Sequence, residues 1–134
     1  MRHLAILSAI LAVSMALAPS SASAGEKALM HCFAFTVIDG ATAAEWKAFT
    51  DATDELPGKI EGLERVWYGK LRRPLRQFGR NRDEPNLRQW GVCMEMKDEA
   101  ALQVYADHEA HTAWVNVYEK VRVPGTTTFD ILGQ

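Results

Sequence analysis

Residues 29–38 read Leu-Met-His-Cys-Phe-Ala-Phe-Thr-Val-Ile, a β-favouring run that is apolar almost throughout. Alternate side chains of a strand point to opposite sides. His31, Phe33, Phe35 and Val37 therefore share one face, and Cys32, Ala34, Thr36 and Ile38 the other. A strand with both faces apolar has to be covered on both, which excludes a simple sheet with one side in water.

The following segments supply one of those covers. Asp39-Gly40 turns the chain, and Thr42-Ala43-Ala44-Glu45 has the form of a capping box that starts a helix. Trp46, Phe49, Thr53 and Leu56 then recur at helical spacing, giving an amphipathic helix with an aromatic inner face that Pro57-Gly58 should end or kink. A second strand is expected over 63–71, centred on Val66, Trp67 and Tyr68. Between Arg72 and Arg88 apolar periodicity fails. Six arginines and two prolines there indicate a long exposed loop or hairpin arm. It reads as a solvated segment, with capture of an anionic ligand or partner by the guanidinium groups as the alternative.

A third strand is expected over 89–96, with Trp90, Val92, Met94 and Met96 on one face, and a second helix from Lys97-Asp98-Glu99. That helix should break near 107–109, continue to about Glu119, and lead into a last strand over 126–132. The order β-α-β-β-α-β is the ferredoxin-like α+β arrangement, a four-stranded antiparallel sheet with its helices on one face. Helices then cover only one side of the first strand, so the other side calls for a second copy of the sheet. A homodimer is the expectation.

The chain begins Met1-Arg2-His3, runs from Leu4 to Ala18 without a charge, and reaches Ala22-Ser23-Ala24 before Gly25. That order is a secretory signal peptide over 1–24, with an apolar run too short for a comfortable membrane span. A mature domain of about 110 residues over 25–134 is expected, periplasmic or secreted, with no membrane segment after cleavage. The overall net charge of −2 gives no electrostatic ground for nucleic-acid binding. In an oxidising compartment Cys32 and Cys93 could pair. Both fall inside expected strands, where bridges are geometrically demanding, so two buried thiols are expected and a disulfide is the alternative.

The chemistry-bearing stretch is Tyr105-Ala106-Asp107-His108-Glu109-Ala110-His111. On a helix Tyr105, His108, His111 and Trp114 form one stripe, with Ala101 and Tyr118 extending it. Such a stripe is either an ordinary buried face or a pocket wall with an imidazole and a phenol placed to move a proton. His31, His108 and His111 are available to a metal, but His-Glu-Ala-His is one residue short of the zinc spacing and has no clear further ligand, so no metal is expected. There is no G-x-S-x-G, no glycine-rich phosphate loop, and no cysteine at a helix start.

Taken together, His31-Cys32-Phe33-Ala34-Phe35, Ile60-Glu61-Gly62-Leu63, Trp67-Tyr68-Gly69, Tyr105-x-x-His108-x-x-His111 and Phe129-Asp130 resemble the stress-responsive A/B barrel family, often called Dabb. The resemblance spans nearly the whole mature chain except the long segment over 72–88. It implies a dimeric α/β barrel with a cavity between each sheet and its helices. His31, Phe33, Phe35, Trp90 and Val92 would lie on the sheet side, and Tyr105, His108, His111 and Trp114 on the helix side. Two positions depart from the family: Glu109 stands where proline is usual, and Trp90 where cyclase-like relatives carry a histidine. The functional expectation is an exported dimer that binds a small apolar or aromatic molecule, without a cofactor. The resemblance also implies an alternative, a polyketide-cyclase-like enzyme with His111 as base and Tyr105 as hydrogen-bond donor. A cofactor-free monooxygenase or haem-related enzyme is suggested by fold analogy alone.

Overall fold

The computed structural model describes residues 27–78 and 85–134. The expected signal peptide and Arg80 and Arg82 lie outside the described residues. Within these bounds the elements run β1 (Leu29–Val37), α1 (Ala43–Lys59), β2 (Leu63–Phe78), β3 (Pro85–Met96), α2 (Glu99–Asp107), α3 (Glu109–Tyr118) and β4 (Arg122–Leu132). The strands form one antiparallel sheet in the order β2-β3-β1-β4. This is the expected ferredoxin-like topology with its second helix in two pieces, and β1 is central.

The capping box starts α1 as its sequence dictates. The Thr42 hydroxyl accepts from the Glu45 N–H at 3.2 Å, and the Glu45 carboxylate accepts from the Thr42 N–H at 2.8 Å. Phe49, Thr53 and Leu56 are buried against the sheet. Pro57 does not end the helix, which continues to Lys59. Proline there removes one bond in the last turn only, and the Ile60 N–H still donates to the Leu56 carbonyl at 3.0 Å. Gly62 then makes the turn into β2 with φ +84°, in a place where a Cβ would sit 2.6 Å from the Cβ of Ala101.

The arginine-rich segment is a hairpin arm. After an irregularity between Lys70 and Leu75, β2 and β3 resume pairing from Leu75↔Arg88 to Phe78↔Pro85. Both strands are therefore longer than expected, because backbone pairing in an exposed arm needs no apolar alternation. Leu71 lies over Gly91, where a Cβ would come within 2.9 Å of its Cδ2. The arm is tied to the central and edge strands. The Thr36 hydroxyl donates to the Leu87 carbonyl at 2.8 Å, and the Thr127 hydroxyl to Gln77 Oε1 at 2.6 Å. The guanidinium of Arg88 is buried between Thr36 and Gln77, at 3.1 and 3.0 Å.

Cys32 and Cys93 are not two buried thiols but a disulfide. The register places them directly opposite each other on β1 and β3, with Cα atoms 4.1 Å apart. A directly opposed antiparallel pair brings the two side chains together without backbone movement, and that register is not visible in the sequence.

The two faces of the sheet differ. On the helix side Phe33, Phe35, Phe49, Val92, Met94, Met96, Trp114 and Tyr118 form one buried core. On the outer side Cys32 and Ala34 are buried, yet Trp67, Phe129 and Ile131 are 46, 45 and 55% exposed. Within one chain the outer face is thus covered at the centre of β1 but leaves large apolar side chains of β2 and β4 exposed.

Candidate functional site

A cavity of about 470 Å³ opens between the inner face of β1 and β4 and the helices α2 and α3. Its walls include His31, Phe33, Tyr105, His111, Trp114, Tyr118, Arg122, Thr126 and Thr128. The inner register of β1 and β4 runs His31↔Asp130, Phe33↔Thr128, Phe35↔Thr126, Val37↔Arg122. One end of the sheet wall therefore carries the histidine and the other end the arginine.

The helix wall depends on the break. The Asp98 carboxylate caps α2 by accepting from the Ala101 N–H at 2.8 Å, and α2 stops at Asp107. His108 is extended, with φ −76° and ψ 139°, and its Nδ1 accepts from the Ala110 N–H at 3.0 Å, so the imidazole itself caps α3. The single helical stripe expected from the sequence is therefore not what forms, since on an unbroken helix residues six apart would point about 120° away from each other around the axis. Because the chain is re-aimed at His108, the rings of Tyr105 and His111 instead meet at 4.2 Å. Glu109 occupies the first helical position of α3, where a proline or an acidic side chain is equally suited, so this departure from the family pattern leaves the break intact.

Hydrogen-bond partners assign the imidazoles different roles. His31 Nδ1 lies 2.6 Å from the Asp130 carboxylate, which as an ion can only accept, so Nδ1 carries the proton. His111 Nδ1 lies 3.1 Å from the Ala106 carbonyl and is likewise the protonated nitrogen. In their neutral forms both cavity histidines therefore carry an unprotonated Nε2 with no hydrogen-bond partner among the described residues, the form a general base needs. His108 is the opposite case, with Nδ1 consumed as the cap acceptor.

The Tyr105 side chain is 3% exposed, and burial holds its phenol far above the usual range. It is a neutral hydrogen-bond donor at any ordinary pH. The Trp114 indole donates to the Thr53 hydroxyl at 2.9 Å, stacks on Tyr118 at 4.8 Å and meets Phe33 edge-on at 5.7 Å. Burial also raises the Tyr118 phenol, whose oxygen lies 3.0 Å from Thr126 Oγ1. The Arg122 guanidinium lies over the Tyr118 ring, 4.7 Å from its centre.

Of the residues singled out in the sequence, His31, Phe33, Tyr105, His111 and Trp114 converge on this cavity. The other four do not line it. Phe35 is fully buried between Phe49 and Tyr118, at 6.0 and 5.0 Å. Val92 is buried in the core, and Trp90 packs on Trp46 of α1 at 4.6 Å. His108 is occupied as a cap. Sequence reasoning missed Asp130 as the partner of His31, although Phe129-Asp130 was among the recognised residues. It also missed Arg122, which belongs to β4 and not to a turn before it; no pattern in the sequence marked it. Among the described residues no three His, Cys, Asp or Glu side chains converge at metal-binding distance.

No family model matches the chain, and no curated protein matches it in sequence. Solved structures do. A dimeric ferredoxin-like protein of unknown function from Thermobifida fusca is 17% identical with TM-score 0.59, covering 80% of this chain and 92% of that one. A Dabb family protein with a ferredoxin-like fold from Mesorhizobium loti is 23% identical with TM-score 0.55, covering 81% and 99%. The hydroxynitrile lyase from Passiflora edulis is 4% identical with TM-score 0.61, covering 81% and 94%. At these identities the likeness is one of architecture: the chain has the ferredoxin-like fold of proteins described as dimeric, one of them named as a Dabb protein.

Proposed function

We propose that this is an exported, Dabb-like protein that pairs through the outer faces of two sheets and holds a small apolar or aromatic molecule in the cavity behind each sheet. The observation that carries the binding role is the cavity wall. Phe33, Trp114 and Tyr118 supply a rigid aromatic lining, and a few polar groups are set at its two ends. That is the usual composition of a small-molecule site. Pairing is supported by the exposed Trp67, Phe129 and Ile131 on the outer face and by the dimeric descriptions of structural neighbours. Export is supported by the charged, apolar and small-residue order of residues 1–24.

Titration of the mature protein with 1-aminoanthracene, an uncharged aromatic fluorophore, should give saturable emission. Thr128→Trp, which places an indole in the cavity at a tolerant β position, should weaken that binding by about tenfold or more. Equal affinity in both proteins would mean that the dye sits elsewhere and would sink the reading. In sedimentation at micromolar concentration the mature chain should run as a dimer, and Phe129→Lys on the outer face should shift it to monomer. A stable wild-type monomer would rule out the pairing.

One observation favours a catalytic version of the same site. His31 is oriented by Asp130 at 2.6 Å as a base is oriented in known proton-transfer sites, and His111 offers a second unprotonated Nε2 beside the Tyr105 donor. Under this reading His31→Ala abolishes hydrogen–deuterium exchange of an acidic C–H in a bound carbonyl compound while 1-aminoanthracene still binds saturably. Undiminished exchange in that variant would refute the role.

A further inference from the structure

The geometry points to a carboxylate on the ligand of this cavity, received by Arg122. This inference rests on the small-molecule reading above and names its chemical class. Arg122 lines the cavity, and its side chain is 18% exposed. Its Nε–H is closed off from water, and so from a ligand oxygen, and has no hydrogen-bond acceptor among the described residues, which leaves the terminal nitrogens to meet a ligand. The terminal nitrogens reach protein oxygens only at long range, Thr126 Oγ1 at 3.5 Å and the mostly exposed Glu119 carboxylate at 3.4 Å. A guanidinium offers its two terminal nitrogens as a parallel pair that matches the two oxygens of a carboxylate. Stacking on Tyr118 holds the plane of that fork in place.

The register gives the ligand a direction. Arg122 stands opposite Val37 and Asp130 opposite His31, with Phe33↔Thr128 between them. An acid group bound at Arg122 lays an apolar body across Phe33 and Trp114 and brings its far end beside His31 and His111. In the cavity wall the other polar groups at the arginine end are hydroxyls, from Thr126, Thr128 and Tyr118, with the Glu119 carboxylate behind Arg122 outside that wall. A single cation already beside one carboxylate suits a monoanion rather than a phosphate dianion, and the aromatic wall suits a ring.

The test uses two probes of one shape, 2-naphthoate and its uncharged counterpart 2-naphthamide, each displacing 1-aminoanthracene from the full mature protein at fixed pH and ionic strength. Naphthoate should bind tighter than the amide by about tenfold, or about 1.4 kcal/mol. In Arg122→Gln the ratio should fall to about one, with saturable 1-aminoanthracene emission as the sign of an intact cavity. Arg122→Lys, which keeps charge but loses the fork, should give an intermediate ratio. Equal affinities in the wild type, or an undiminished ratio in Arg122→Gln, would overturn the carboxylate assignment while leaving small-molecule binding standing. Failure of both probes and of 1-aminoanthracene to bind would overturn that underlying reading as well.

Discussion

Reduction of the Cys32–Cys93 bond is expected to lower the unfolding free energy by about 4 kcal/mol. The cross-link joins positions 61 residues apart, and closing a loop of that length removes much of the freedom of the unfolded chain. It ties β1 to β3 at the middle of the sheet, so the enclosed loop contains α1, β2 and the hairpin arm. Domains of this size are held by about 5–15 kcal/mol in total, so the reduced protein should be marginal at physiological temperature. Urea unfolding with and without a phosphine reductant, beside the Cys32→Ala/Cys93→Ala variant, measures the effect. A difference below about 1 kcal/mol would show that the unfolded chain is already confined or that the bond is not formed. Thiol titration of the denatured, unreduced protein separates those two outcomes.

Trp114→Ala should destabilise the fold by about 3–5 kcal/mol, the range for deleting a large buried aromatic side chain. Trp114 is 3% exposed and touches Phe33, Phe49 and Tyr118, so it joins α3 to both β1 and α1. Its hydrogen bond to Thr53 contributes little to the expected loss. The Thr53 hydroxyl still donates to the Phe49 carbonyl at 2.6 Å when the indole is gone, and no donor is orphaned. Trp114→Phe should accordingly cost only about 1–2 kcal/mol, since most of the ring packing survives. Urea midpoints for the two variants at equal m-value provide the comparison. Similar small losses in both would mean that α3 is not docked on α1.

Features set by residues close together in the chain were legible in the sequence. The Thr42–Glu45 box, the break near His108, and the clustering of Tyr105 with His111 depend on neighbours within one or two turns. The expectation of a dimer came from the composition of a single strand, and the structural neighbours are described as dimeric. What could not be read was pairing across distance. The Cys32–Cys93 bridge and the His31–Asp130 contact depend on strand register, and their partners are 61 and 99 residues apart. Trp90 and Val92 were placed on the correct face of β3, but alternation does not say which helix lies above each row. Trp90 is met by Trp46 of α1, away from the cavity. Arg122 had no signal because a lone arginine near a turn carries no pattern, and only its position over Tyr118 gives it meaning.

The interruption at His108 makes the site a matter of chain length. Tyr105 rides on α2 and His111 on α3, and the two rings face each other because a fixed number of residues separates the two helical axes. One residue inserted between Glu109 and His111 would preserve the helix-forming tendency of both pieces, yet it would turn His111 by about 100° around the axis of α3 and out of phase with Tyr105. Substitutions along this segment are therefore constrained position by position, whereas insertions and deletions are constrained by angular phase. A relative could change most of these side chains and keep the cavity, but a change in the residue count would take its two halves out of alignment.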